Sequence, residues 1–424
     1  MRSEVHLGVG LALLLVAPTF TTPLAAEGLA AGQPPQGVQR PYESFVGDLS
    51  STDPDVRARA MRALADSGYP EALGPLSMLV TDPVDEIQLE TIDRILGFYA
   101  VQRPKGRRMV GGIIEVRSKT GSAQAIFDEG PFVVLPRRTP PELITALSGA
   151  MRDQNPKVRL EAVYALGVVA VPPLDPAAAE TLMGGLRDSQ VDIRVAAARV
   201  LGGLRVRQAG DALIQAVNDP ETAVRAASMR SLGDIREARA IQALSEQFTY
   251  YEQGPLADAA FDGLARIGNP ASIPLFTSQL TSRNADWRRL AAEGLARCGD
   301  AQAAASVETV LANEKKVPVQ LARAFAMQAA GRPGLDALVT ALATPATQAQ
   351  AMGYLVELGP PVAVPLAASL ANPNPQVREG VAMTLGIIGG EPAVSALEPV
   401  RRDSDTEVAR AAERAIARIR IRGE

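Results

Sequence analysis

Asp219-Pro220-Glu221-Thr222-Ala223-Val224-Arg225, continued through Ala227 and closed by Leu232-Gly233, is the cleanest copy of a frame that recurs along the chain. Its aliphatic–arginine pair returns as Val56-Arg57, Val158-Arg159, Ile193-Arg194 and Val377-Arg378, with consecutive copies about 31 residues apart. A fixed period of this length marks a stack of similar supersecondary units rather than a globular core around one active site.

Each copy reads as two antiparallel helices. The first carries a short apolar stripe, as in Ala212-Leu213-Ile214-Gln215-Ala216-Val217, and ends near Asp219. The second begins after Asp-Pro or Asn-Pro, at Asp53-Pro54, Asp82-Pro83, Asn155-Pro156, Asp219-Pro220 and Asn374-Pro375. Asp or Asn caps the orphan N–H groups of a helix start, and Pro suits the first helical position. Within one second helix, Ile193, Ala196, Ala197, Val200, Leu201 and Leu204 keep the helical period. Gly202, Gly233, Gly268, Gly299, Gly359 and Gly389 fall near the second helix's end, where a C-cap or tight turn favours glycine. Second helices are expected to start near Pro54, Pro83, Asn155, Gln190, Glu221, Gln253, Asn284, Val317, Ala346, Pro375 and Asp405. The expected fold is therefore all-α: an α-solenoid, or superhelix, of stacked antiparallel helix pairs, with about 11 to 12 units over residues 41–424.

One interval breaks the rhythm. From Ile87 to Val158 the spacing is about twice the period, which suggests an irregular or degenerate unit at residues 101–140. Met109, Val110, Ile113, Ile114 and Arg117 suit a helix over 107–118, and residues 121–129 suit a short second one. The rival reading is β structure, because Ile113-Ile114-Glu115-Val116 and Phe132-Val133-Val134-Leu135 are strand-like. Elsewhere Gly254-Pro255-Leu256, Trp287-Arg288, Val319-Gln320 and Thr347-Gln348 depart from the aliphatic–arginine pair.

The Asp…Val-Arg…Ala…Leu-Gly frame resembles the HEAT-repeat family, in the short variety similar to phycobilisome-lyase-like repeats with an armadillo-type superhelix. The resemblance implies a ladder in which the Asp and Arg of successive units meet along the turns. The matching residues are Asp153 and Arg159, Asp188 and Arg194, Asp219 and Arg225, with Arg378 further on. Arginine's planar five-donor fork suits bridging a carboxylate and carbonyls of the adjacent layer.

The composition excludes several chemistries. Apolar residues make up 47% and aromatics 4%, which suits small-residue helix packing, and the net charge of −4 supplies no global basic field to gather nucleic acid. The single histidine, His6, lies in a segment expected to be removed, so His-based metal sites, general bases and triads are not expected in the mature chain. Cys298 is the one cysteine, so no intrachain disulfide forms, and its repeat position is one where Ile267, Leu358 and Ile388 stand. No cofactor is expected. Residues 1–26 read as a signal peptide: an apolar run from Leu7 to Pro18, too short to span a bilayer, closed by Ala25-Ala26. Residues 27–40 read as a flexible linker. No membrane span is expected after signal removal, and the location is expected to be periplasmic or secreted.

Aromatics cluster at Phe248, Tyr250, Tyr251, Phe261, Phe276 and Trp287. Four of them, Phe248, Phe261, Phe276 and Trp287, suit the core as substitutes for aliphatics. Tyr250 and Tyr251 occupy a turn and suit recognition, with Trp287 as a third candidate anchor. Basic residues gather at Arg103, Lys105, Arg107, Arg108, Arg137 and Arg138, and along Arg410, Arg414, Arg418, Arg420 and Arg422; both groups read as solvated charge. The expected function is a non-catalytic scaffold or adaptor of the bacterial cell envelope that binds a protein or peptide. The alternatives come from the resemblance: a phycobilin-lyase-like protein handling a prosthetic group, or a nucleic-acid-binding HEAT protein. Iron-dependent deoxyhypusine hydroxylation does not carry over without histidine.

Overall fold

Capping chemistry starts three of the five Asp-Pro or Asn-Pro helices as the sequence implies, while after Asp82-Pro83 and Asp219-Pro220 the N-caps are Val84 and Glu221, which make no side-chain cap bond. Asp53, Asn155, Asn284 and Asn374 are N-caps whose side chains accept the N–H of Asp55, Lys157, Asp286 and Gln376. The structure, a computed structural model, describes residues 43–100 and 122–423. The expectations for residues 1–40, for a helix or strand over 107–118 and for the Arg103–Arg108 cluster lie outside the described residues.

The α-helices run α1 (Pro54–Asp66), α2 (Leu73–Ser77), α3 (Asp85–Gly97), α4 (Ala123–Glu129), α5 (Pro141–Ala150), α6 (Pro156–Val169) and α7 (Pro176–Gly184). They continue as α8 (Val191–Gly203), α9 (Gly210–Ala216), α10 (Thr222–Asp234), α11 (Ile241–Tyr251), α12 (Pro255–Ile267), α13 (Ile273–Gln279) and α14 (Ala285–Cys298). The last are α15 (Ala301–Val310), α16 (Val317–Ala329), α17 (Leu335–Ala341), α18 (Pro345–Leu358), α19 (Ala363–Ala367), α20 (Pro375–Ile388), α21 (Glu391–Leu397) and α22 (Thr406–Gly423). Short 3-10 turns such as Met78–Thr81 and Pro399–Arg402 extend several first helices. The described residues contain no strand, only one isolated bridge between Ala100 and Val134.

Second helices stack on second helices: α8 on α10, α10 on α12, α12 on α14, α14 on α16 and α20 on α22. Ile193, Ala196, Ala197, Val200 and Leu201 of α8 are all buried, as their period requires. Small residues set the spacing. A Cβ on Gly233 would come within 2.9 Å of the Gly263 Cα in the next layer. Gly202 and Gly233 thus lie inside α8 and α10, at close approaches rather than at caps. The positive-φ residues after those two helices are Arg205 and Arg236, while Gly268, Gly299 and Gly359 do take positive φ as expected.

The ladder joins the turns. Arg57 donates through Nε and Nη2 to Asp82 at 2.7 and 2.8 Å. Arg159 binds Asp188 at 2.8 and 2.9 Å, Arg194 binds Asp219 at 2.9 and 3.2 Å, and Arg378 binds Asp403 at 2.8 and 2.7 Å. Each Nη1 also donates to a carbonyl of its own turn, at Ser51, Asp153, Asp188 and Asn372. Each of the four acceptor aspartates in addition takes a backbone N–H two residues on. One carboxylate therefore shapes its own turn and ties down the previous layer. Arg225 is the exception: it donates to the carbonyls of Asp219 and Pro220 and to Thr222, but no next-layer carboxylate reaches it.

The irregular unit expected at residues 101–140 lies partly outside the described residues; its described part, 122–140, places no layer between α3 and α6. α3 packs directly on α6, and α2 with its 3-10 extension packs on α5. The turns are linked as well. Gln88 stands where the ladder arginine would be and donates to Asp153 at 3.0 Å, while Asn155 donates to Asp85 at 2.7 Å. α4 lies against α6 beside the array, with the Ala123 N–H donating to Glu161.

Candidate partner-binding surface

α11 runs on to Tyr251, and only residues 252–254 separate it from α12. The backbone here is unusual: Glu252 has φ 55° and Gly254 φ 91°. Glycine adopts such angles freely, whereas glutamate is strained there. Glu252 stands three residues before its helix, as Glu314 does before α16. Glu314 accepts from Arg288 at 2.7 Å and closes a rung. Arg288 and its neighbouring N–H donors hold the Glu314 carboxyl down at about 2. Glu252 instead faces solvent, and the Arg225 Nε is left buried without an acceptor.

The tyrosines sit at this open rung. Tyr250 is 78% exposed, and its ring meets the half-buried Tyr251 edge-on, with centroids 4.9 Å apart. Phenol rings offer large rigid contact area with a polar tip. Trp287 is placed differently. Its indole N–H donates to Asp258 at 2.7 Å, and its ring packs 4.9 Å from Phe248 and 6.0 Å from Phe261. Phe248, Phe261 and Phe276 are buried. Trp287 is thus a half-buried flank of the core, and the exposed surface is carried by Tyr250 and Tyr251.

A second cluster on the second helices escaped the sequence reading. Arg297 of α14 binds Glu357 of α18 at 2.7 and 2.8 Å, and Arg236, just past α10, reaches the same carboxylate at 3.2 Å. Burial alone would raise Glu357, but Arg297 outweighs it and holds the carboxyl below its ordinary value. Tyr354 donates to Glu293 at 2.6 Å, and burial together with that carboxylate raises the phenol well above the usual tyrosine range. These contacts join layers that are not adjacent in the stack, so they brace its curvature. The signal in the sequence is the arginine two residues before glycine, in Arg266-Ile267-Gly268 and Arg297-Cys298-Gly299. Cys298 donates to the Asn269 carbonyl at 3.3 Å, and burial pushes its thiol up to about 11, away from the reactive thiolate.

Among the described residues no group of three or more His, Cys, Asp or Glu side chains is placed to hold a metal ion. No single helix there is long and apolar enough to cross a membrane. The fold defines an all-helical solenoid of stacked helix pairs. Residues 179–253 and 335–417 match the family of HEAT repeats, and these segments of the chain are HEAT repeats. No curated protein matches. Among solved structures, an engineered protein aligns over 90% of this chain and 99% of its own at 20% identity, with a TM-score of 0.41. The complex of CpcE and CpcF of phycocyanin lyase from Nostoc aligns over 66% of this chain and 96% of its own at 19% identity, TM-score 0.37. A structure describing the interaction between cadherin and β-catenin aligns over 89% and 94% at 12% identity, TM-score 0.36.

Proposed function

We propose that this protein is a non-catalytic scaffold of the cell envelope that docks a protein partner on the α11–α12 turn, with Tyr250 and Tyr251 as anchors. The observation that carries the reading is the open rung. Closed rungs account for their residues by stacking, whereas this one keeps a strained glutamate and, at the end of α11, an exposed Tyr250 braced by the half-buried Tyr251, of which stacking does not require Tyr250. Hot-spot tyrosines typically contribute on the order of 2 kcal/mol to binding. The apolar run at Leu7 to Pro18 supports export.

The test is a photo-crosslinking phenylalanine analogue placed at Tyr250, with Val171 and Val364 as exposed control positions on other layers. One discrete adduct from position 250 and none from the controls is expected in the envelope fraction. Equal labelling at all three positions, or adducts only from cytoplasm, contradicts the proposal.

A further inference from the structure

The seventh residue of a second helix packs toward the core. In ten of the described second helices it is at most 2% exposed, as at Ala197, Ser228, Phe261 and Ala351. In α16 the same position is Arg323, which is only half-buried. Its Nε is sealed without an acceptor, and no described carboxylate pairs with its guanidinium. A cation placed where the stack calls for a small or apolar side chain is costly unless something compensates it.

The surroundings are built around that charge. A cleft of about 250 Å³ opens between α15, α16 and α17, with Arg323 and Gln320 on its wall among Leu311, Met327 and Pro333. The two acids on the wall are engaged elsewhere: Glu308 with Arg332, and Glu314 with Arg288. The connection into α17 is pressed onto α16, where a Cβ on Gly334 would lie 2.1 Å from the Ala324 carbonyl oxygen. The cleft thus carries one guanidinium without a carboxylate partner, on a wall that mixes apolar side chains with Gln320 and the two engaged acids.

We propose that this cleft binds a single carboxylate on a short aliphatic stem, with Arg323 as its counter-ion. A guanidinium fork matches the two oxygens of a carboxylate, and Leu311, Met327 and Pro333 suit a few methylenes. A free small organic acid and the glutamate side chain of a docked protein present this same group. The proposal is independent of the tyrosine surface.

The test follows the Arg323 Nε–H resonance of the full chain by 15N NMR while glutarate, or the neutral-backbone probe N-acetylglutamate amide, is added at constant ionic strength. A saturable shift with either probe, absent with sodium chloride, is expected. Arg323→Lys keeps the charge without the fork and should weaken the response, read at neighbouring Gln320 and Met327, by about tenfold, the scale of one charge-assisted hydrogen bond. Arg323→Met should abolish it, with circular dichroism to confirm folding. Tighter saturation by glutarate assigns a free acid, and tighter saturation by the amide assigns a partner's side chain. A linear response matching chloride, or an undiminished response in Arg323→Lys, overturns the proposal.

Discussion

The junction between α8 and α10 and the junction between α10 and α12 differ in one rung. The three helices are each 13 residues long. In the first junction Arg194 closes on both oxygens of Asp219; in the second Arg225 finds no carboxylate. An acid stands at the same offset in the second, Glu252, yet the three-residue turn holds it at φ 55° and points it outward. Where six residues separate α15 from α16, the glutamate at that offset does close on Arg288. The backbone of the acid, and not its presence, separates the two: Asp82, Asp188 and Asp403 close their rungs from extended backbone at φ −61°, −62° and −57°, whereas Glu252 stands at φ 55°. The open rung is also where Tyr250 stands exposed against the half-buried Tyr251.

The largest effect is expected from the inner brace, which ties the end of α10 and α14 to α18. Arg297→Met leaves the largely buried Glu357 with only Arg236 and should cost about 3–5 kcal/mol. Urea midpoints by circular dichroism measure it; a loss below about 1 kcal/mol would remove the brace from the account. The rungs come next. Arg194→Ala strips both oxygens of Asp219 of their donor and should cost about 1–3 kcal/mol, whereas Arg225→Ala should cost about 1 kcal/mol or less because it removes only bonds within its own turn. Equal costs would erase the distinction between closed and open rungs.

Acid sharpens the same contrast. The folded Glu314 value, about 2, lies below its ordinary 4.5. Its contribution is therefore complete above about 4.5 and is lost as pH falls through that window toward 2. Glu314→Gln should flatten acid unfolding in this range; thermal midpoints between pH 5 and about 2 decide. The smallest effect is local. Glu252→Gly removes a strained φ and should stabilise by about 0.5–1 kcal/mol, read as a small rise in the thermal midpoint.

Much of the stack was legible because its signals are local. Asp-Pro and Asn-Pro starts, the period of Ile193 to Leu204 and the arginines after aliphatics marked the second helices and the ladder. Spacing alone did not decide what lies between α3 and α6, because an interval of two periods looks the same with and without an extra layer; Gln88 meeting Asp153 shows those two layers in contact. Arg225 looked like any other rung, since its failure depends on the backbone angle of Glu252, 27 residues further on. Trp287 kept company with the tyrosines in sequence, but its N–H is taken up by Asp258 and its ring by the core. The Arg297–Glu357 brace was hidden because curvature accumulates over several layers and no single period encodes it.

The central claim is that closed rungs serve stacking while the open one serves recognition. Its most direct test is the affinity of the protein trapped at position 250 for three folded forms of the chain: wild type, Tyr250→Ala/Tyr251→Ala, and Arg378→Ala. The double variant should bind about 30-fold more weakly, equivalent to about 2 kcal/mol, while Arg378→Ala, which opens a distant closed rung, should bind as wild type does. Wild-type affinity in the double variant, or an equal loss in Arg378→Ala, would contradict the account.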